Sequence, residues 1–227
     1  MTGNERSEDD HSVDSLPVRR PNEFPERVVR PDATVHGVVL AAGTSTRYGS
    51  ENKLLEPLDG CPLVRHAVDT LVESHVDDVT VVVGHEADRV RETIADLPVE
   101  TVANPRYEEG LGTSVRIGVS TAADRNADAV LLALGDMPWV DPSSIDLLVD
   151  AYARGVGDAI AAAYRGQRGN PVLFDSRFFD ALTVAHEGGD VGGRRLLTRE
   201  HGALAIETGD SGVVRDVDRT SDFERDG

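Results

Sequence analysis

Lysine is almost absent from this chain of 227 residues: of 23 basic residues, 22 are arginine and one is Lys53. Cysteine is reduced to Cys61, which excludes an intramolecular disulfide and a thiolate metal site and leaves a small residue between Gly60 and Pro62 in an expected turn. Aromatic residues make up only 4%. No apolar run reaches the roughly 18 residues of a membrane-spanning helix, and the acidic N-terminus does not resemble a signal peptide, so no membrane partner and a cytoplasmic location are expected. Positive charge is scarce throughout. The formal net charge of -18 argues against non-specific nucleic-acid binding, which depends on basic surfaces that neutralise phosphates.

Excess acid, scarce lysine and few aromatics together suggest a halophilic protein suited to a salty cytosol, where a Debye length of about 3 Å at 1 M salt screens self-repulsion. With 39% hydrophobic residues the chain can still build a substantial core. Residues 1–33 carry eight acids, five arginines and few apolar side chains without period, and are expected to form a disordered tail ahead of one domain over 34–227.

From Val35 onward, strand and helix patterns alternate, which implies a parallel sheet covered on both faces. Strands are expected at Val79–Val83, Val99–Val102, Val130–Leu134 and Asp158–Tyr164. Helices are expected from Pro62, over 86–97, after Ser114 and over Pro142–Ala153. His85, just after a strand, reads as a helix-start or surface residue more readily than as a ligand. Phe174, Phe178, Phe179 and Leu182 read as core.

The richest stretch is Gly37–Leu55, GVVLAAGTSTRYGSENKLL, an apolar strand that empties into small residues, an arginine and the lone lysine. At the carboxyl end of such a strand, the N–H groups of Ala42, Gly43, Thr44, Ser45 and Thr46 can cradle an anion, while Arg47 and Lys53 add full positive charge. Retention of one lysine beside this loop points to a need for a compact ammonium. The spacing fits neither a P-loop nor a Rossmann fingerprint. Farther on, ADAVLLALGDMP places Asp136 at the end of a second buried strand. A carboxylate there can hold a divalent cation against phosphate oxygens, magnesium suiting hard oxygen ligands; its plainer reading is a structural turn residue before Pro138.

The opening loop resembles LAAGxSxRMGxxKxL of the MobA-like (MobA/MocA-like) NTP transferases, the molybdenum cofactor guanylyl- and cytidylyltransferases, with Tyr48 in place of the family methionine. The GDMP segment matches that family's metal motif. The resemblance implies a three-layer α/β/α Rossmann-like fold of the GT-A-like type, with a mostly parallel central sheet. It makes Leu40, Ala41, Ala42, Gly43, Thr44, Ser45 and Lys53 nucleotide-binding, and Arg47 and Lys53 catalytic. NPRYEEGLGTS resembles the family's base and ribose element and adds Asn104, Gly110 and Ser114, although Ser114 reads equally well as a helix cap. Gly166–Pro171 resembles the G-x-x-G-[NH]-P turn on the acceptor side and brings in Asn170. GGDVGGRR resembles GDxGxRxLL, with Asp190 and Arg194, or Arg195, toward the acceptor. An imperfect match near the C-terminus makes Asp218, or Asp216, a second metal carboxylate beside Asp136.

The resemblance implies a magnesium-dependent transfer of NMP from GTP or CTP to a phosphorylated acceptor of the molybdopterin type, with release of pyrophosphate and a possible molybdoenzyme partner. A sugar 1-phosphate acceptor is the alternative within enzymes. A nucleotide- or cofactor-binding protein without catalysis is the alternative outside them.

Overall fold

The computed structural model describes residues 16–44, 52–184, 196–197 and 202–217. In chain order the described elements are β1 (Val18–Arg19), β2 (Val35–Ala41), β3 (Pro57–Leu58), β4 (Cys61–Pro62), α1 (Leu63–Val72), β5 (Asp78–Val83), α2 (Ala87–Thr93), β6 (Glu100–Ala103), α3 (Leu111–Asp124), β7 (Ala129–Leu134), α4 (Pro142–Ala153), β8 (Ala159–Tyr164), β9 (Gln167–Asp175), α5 (Phe179–Val184) and β10 (Leu204–Glu207). Eight strands form one sheet in the order β1-β10-β8-β9-β7-β2-β5-β6. β3 and β4 make a separate hairpin.

The sheet is covered on both faces. Leu63, Val68 and Leu71 of α1, Val90 of α2, and Ile145 and Leu148 of α4 pack on one side with Val39, Val81 and Leu131. Val115 and Val119 of α3 pack with Phe179 and Leu182 of α5 on the other, against Val38, Val82 and Val130. Alternate residues of β2, β5 and β7 thus serve opposite cores, which explains why these strands read as unbroken apolar runs. This is the expected three-layer α/β/α arrangement.

The sheet is not parallel throughout. β9 runs antiparallel to both β7 and β8, while the other pairings in the sheet are parallel. Its cause is a two-residue turn: Arg165 and Gly166 both have positive φ, and Tyr164 pairs with Gln167 across them. Accordingly, Gly166–Pro171 is not a turn as a whole. Only Gly166 belongs to the turn, and from Gln167 the segment is strand, with a cis peptide between Asn170 and Pro171. Asp59 and Gly60 make the same kind of turn between β3 and β4, so Cys61 opens a strand after the turn, exposed to solvent. α2 is shorter than the expected helix over 86–97 and ends at Thr93.

The disordered-tail expectation fails from residue 16 onward. Leu16 is buried in the core, β1 pairs with β10, and Ala153 O accepts from the N–H groups of Val29 and Arg30. Arg30 holds the segment down. Its guanidinium lies 4.4 Å from the Tyr152 ring centroid, donates to Tyr152 O at 2.7 Å and pairs with Asp158 at 2.5 Å. Backbone pairing and one arginine replace the apolar surface that composition shows to be missing. Residues 1–15 lie outside the described residues.

His36 in β2 is buried, with Nε2 2.9 Å from Thr80 Oγ1. Burial pushes its imidazole below the ordinary histidine range, Arg125 pushes the same way, and Asp78 and Glu100 oppose. The folded state therefore favours neutral His36, whereas the unfolded chain protonates near pH 6.5. Stability from this group is complete above that pH and falls as pH drops toward the depressed folded value. Urea midpoints measured from pH 7.5 to 5 should fall for the wild type. The fall should be shallower for His36→Gln, by at most about 1.4 kcal/mol per pH unit, the slope of one proton. Parallel curves would refute the assignment.

Candidate active site

β2 and β7 are hydrogen-bonded neighbours from which the chain proceeds in opposite directions: β2 leads to β5 and β6 on one side, and β7 to β9 and β8 on the other. Such a switch point opens a crevice beyond the carboxyl ends of the strands. The two segments singled out by their chemistry both end there. Gly135 N–H donates to Leu40 O at 3.1 Å, so the loop after Ala41 and Asp136 after β7 leave the sheet side by side.

Lys53 joins them. Its Nζ donates to Asp136 Oδ2 at 2.6 Å and to Val217 O at 2.8 Å, while Val217 N–H donates to Asp136 O at 2.9 Å. Three segments more than eighty residues apart are thereby tied by one ammonium. Lys53 and Asp136 retain 14% and 22% side-chain exposure, so the pair sits at the rim of the core and within reach of a ligand. Lys53 is aimed by its own local structure. Asn52, fully buried, accepts from Leu54 N–H and so caps the short 3-10 helix Lys53–Leu55, and its Nδ2 donates to His85 O. His85 N–H in turn donates to Ala42 O, which ties the end of β5 to the loop. His85 is therefore a structural residue at the start of α2, with its ring beside Tyr107. Asn52 was not among the residues the sequence pointed to, although an asparagine just ahead of a short apolar helix is a recognisable cap signal.

Leu40, Ala41 and Ala42 are buried, so only their backbone can meet a nucleotide, while Gly43 is exposed and Thr44 partly so. Asn104 spends both amide donors within the fold, on Thr113 Oγ1 at 2.8 Å and Ser114 Oγ at 2.9 Å, and its carbonyl accepts from Arg106 N–H. These bonds pin the 104–110 loop to the first turn of α3. Ser114 is an internal acceptor there, and Gly110, with φ 109°, precedes the helix without a side-chain cap. Asn170 lies in β9 and faces the crevice. Ser45, Thr46 and Arg47, and Asp190, Arg194, Arg195 and Asp218, lie outside the described residues. Asp216 is exposed, one residue before Val217.

Asp136 suits a hard divalent cation. One carboxylate oxygen is on Lys53 and the other has no partner among the described residues, at a solvent-reachable sheet edge. Among the described residues no group of three or more His, Cys, Asp or Glu side chains could hold a metal by itself. Such an ion would therefore share its coordination with ligand oxygens and water, as magnesium ordinarily does. A cleft of about 260 Å³ opens over Leu40, Leu134 and Val172, with Leu111 and Val115 of α3 on its wall.

Residues 37–204 match the MobA-like NTP transferase domain. The chain belongs to that family. As a MobA-like NTP transferase it is a nucleotidyltransferase, and the match spans most of β2, the loop after it and Asp136. Rv0371c from Mycobacterium tuberculosis shares the fold with a TM-score of 0.73 and 27% identity, over 85% of this chain and 97% of that one. A second structure of Rv0371c is a complex with manganese. The GlmU protein of Halorhodospira halophila is 33% identical over 181 residues, 78% of this chain but 37% of its own length. Nicotine blue oxidoreductase of Paenarthrobacter nicotinovorans is 29% identical over 199 residues, 84% of this chain and 95% of its own length. The chain thus spans well under half of the bifunctional GlmU relatives and nearly all of the last. No helix among the described residues is long and apolar enough to cross a membrane.

Proposed function

We propose that this transferase moves a nucleoside monophosphate from GTP or CTP to a phosphorylated acceptor of the molybdopterin type, with release of pyrophosphate. The observation that carries the reading is the Lys53 ammonium bound at once to Asp136 and Val217 at the switch point. On this reading the triphosphate lies across the loop after Ala41. Lys53 moves part of its bonding from Asp136 to phosphate oxygens, and Arg47 approaches them from the loop. An acceptor phosphate oxygen attacks the α-phosphorus in line, the bond to the β-phosphate oxygen breaks, and pyrophosphate leaves. A divalent cation held by Asp136, with Asp218 or Asp216, would neutralise charge on the phosphates and orient them. Alignment and charge neutralisation are what this chemistry requires of a protein, and no side-chain nucleophile takes part.

Acidity and lysine scarcity support a working place in a cytoplasm of high salt. If the acceptor is of the molybdopterin type, the product is handed over to a molybdoenzyme. A sugar 1-phosphate is the competing acceptor. The relative of matching length, by its name an oxidoreductase, supports a second reading, redox chemistry on an organic substrate in the same crevice. The test is pyrophosphate release in molar KCl with magnesium, pairing GTP, CTP, ATP and UTP with molybdopterin and with sugar 1-phosphates. Release with the pterin and one base is expected. Release with a sugar phosphate alone moves the acceptor. Consumption of NADH or NADPH without pyrophosphate selects the redox reading.

A further inference from the structure

The Lys53 ammonium sits at the end of a flexible four-carbon stem, so the Asn52 cap can fix the backbone of Lys53 but not its tip. The tip is fixed by what it binds, Asp136 Oδ2 and the carbonyl of Val217. Val217 must therefore itself be held. The segment 212–217 runs beside 136–139 in the opposite sense, since Gly212 lies against Trp139 O and Val217 N–H donates to Asp136 O at 2.9 Å. Between these two backbone crossings the Arg215 guanidinium lies over the Trp139 ring, 4.1 Å from its centroid. Trp139 is partly buried and packs on the core shared by α1 and α4, so its ring is a fixed platform. Asp216, next in the chain, is exposed, and the buried Val217 follows it.

We infer that Arg215, stacked on Trp139, is a positioning residue for the Lys53 ammonium: it fixes the Val217 carbonyl that the ammonium binds. The inference rests on the nucleotidyl-transfer reading only for what Lys53 then does. Arginine suits this task because its planar guanidinium stacks flat on an indole, the best aromatic face for a cation, whereas a lysine ammonium meets the ring as a point. The contact also tolerates salt. At molar concentration the Debye length is about 3 Å, so exposed ion pairs weaken, while a cation laid on a ring gains from contact dispersion and from the short-range field of the ring quadrupole. The lever is short, because one residue separates Arg215 from Val217. In catalysis a misplacement of about 1 Å can cost about 100-fold in rate, so a small slide of this segment is enough to matter.

Trp139 is the only tryptophan in the chain, so intrinsic fluorescence of the full protein in molar KCl reads the stack directly. Arg215→Ala should raise acrylamide quenching of that tryptophan about twofold, because the cation covering one ring face is gone. Lys53→Ala should move quenching part of the way in the same direction, since coupling between two sites is reciprocal. In pyrophosphate release, Arg215→Ala should lower kcat about tenfold and leave KM for the nucleotide within about twofold, the signature of lost alignment without lost binding. Arg215→Lys should recover part of that loss, and Trp139→Phe should retain more activity than Trp139→Leu. In a Lys53→Ala background, Arg215→Ala should cost nothing further, because both changes act through one ammonium. The melting temperature of each variant reports separately on folding. Quenching in Lys53→Ala equal to that of the wild type would overturn the inference. So would a full further loss in the Lys53→Ala background, because Arg215 would then act on the ligand directly. A wild type that releases no pyrophosphate refutes the nucleotidyl-transfer reading and leaves the quenching comparison to decide the coupling.

Discussion

Lys53→Ala is expected to lower pyrophosphate release at least 100-fold, as removal of one preorganised donor to a transition-state oxygen does. The ammonium is 2.6 Å from Asp136 and 2.8 Å from Val217 O, and on the proposed reading phosphate oxygens come to this point. Nothing else described in the chain supplies an ammonium, because Lys53 is the sole lysine. Folding should suffer far less. The pair is partly exposed, with 14% and 22% of the two side chains accessible, and a solvent-reachable pair of this kind contributes about 1 kcal/mol or somewhat more. The variant should therefore melt within a few degrees of the wild type while it has lost turnover. Lys53→Arg keeps the charge but replaces a point donor with a planar fork that cannot reach both oxygens in the same way, so an intermediate loss is expected. Asp136→Asn should lose activity as strongly, with a distinct signature. Half-maximal activity should require much more magnesium or manganese, whereas Lys53→Ala should leave that requirement nearly unchanged. Turnover within a few-fold of wild type in either variant would remove these residues from the chemistry.

What the sequence revealed of this site depended on whether the function was written in side chains or in tertiary approach. The strand and loop around Leu40–Thr44 and the strand before Asp136 were readable because a strand buried on both faces has an unmistakable apolar run and its chemistry follows immediately. That β2 and β7 are adjacent, with Gly135 bonded to Leu40, is a fact of chain crossing that local pattern does not contain. The reversal of β9 was signalled only by Arg165-Gly166, a pair that can equally sit in a loop. Its consequence is that Arg168, Asn170 and Val172 line one cleft, which no local pattern picks out among 22 arginines. The segment from Leu16 to Asp32 was misread for a related reason. Its composition is that of a disordered chain, yet a two-residue strand paired through backbone and one arginine on Tyr152 suffice to seat it on the sheet edge. Asn104 and Ser114 illustrate a further limit. The resemblance implies contact with a nucleotide, whereas the hydrogen bond between them shows that they build the loop.

Gly212→Ala should be the most damaging single-methyl change in the described chain outside the charged pair. A Cβ there would stand 1.9 Å from Trp139 O and 2.4 Å from its carbonyl carbon, backbone atoms that no rotamer change can move. Gly212 does not have positive φ, so the cost comes from close approach and not from torsion. Room for the methyl requires the 211–214 turn to shift by well over an ångström, and everything around it resists. Asp210 holds the turn to α4, accepting from Gly212 N–H at 2.7 Å, Asp141 N–H at 2.9 Å and Ser144 Oγ at 2.9 Å. Val213 is fully buried, and its carbonyl lies where a Cβ on Gly169 would be, also at 1.9 Å. Overpacking of this kind costs about 1–3 kcal/mol, and disruption of the Asp210 bonds adds about 1 kcal/mol or more. For a chain of this size that amounts to a fall of about 6–12 °C in Tm. Activity should fall even at temperatures where the variant is folded, because the displaced turn leads directly to Val217, whose carbonyl anchors Lys53 and whose N–H anchors Asp136. The control is Gly209→Ala, where φ is +77° but no atom lies within 4 Å of the added methyl. It should cost only the backbone penalty of about 1 kcal/mol and leave turnover intact. If Gly212→Ala melts within 2 °C or so of the wild type, or loses no more activity than Gly209→Ala, then the close crossing of the Trp139 and Gly212 backbones does not set the position of Val217.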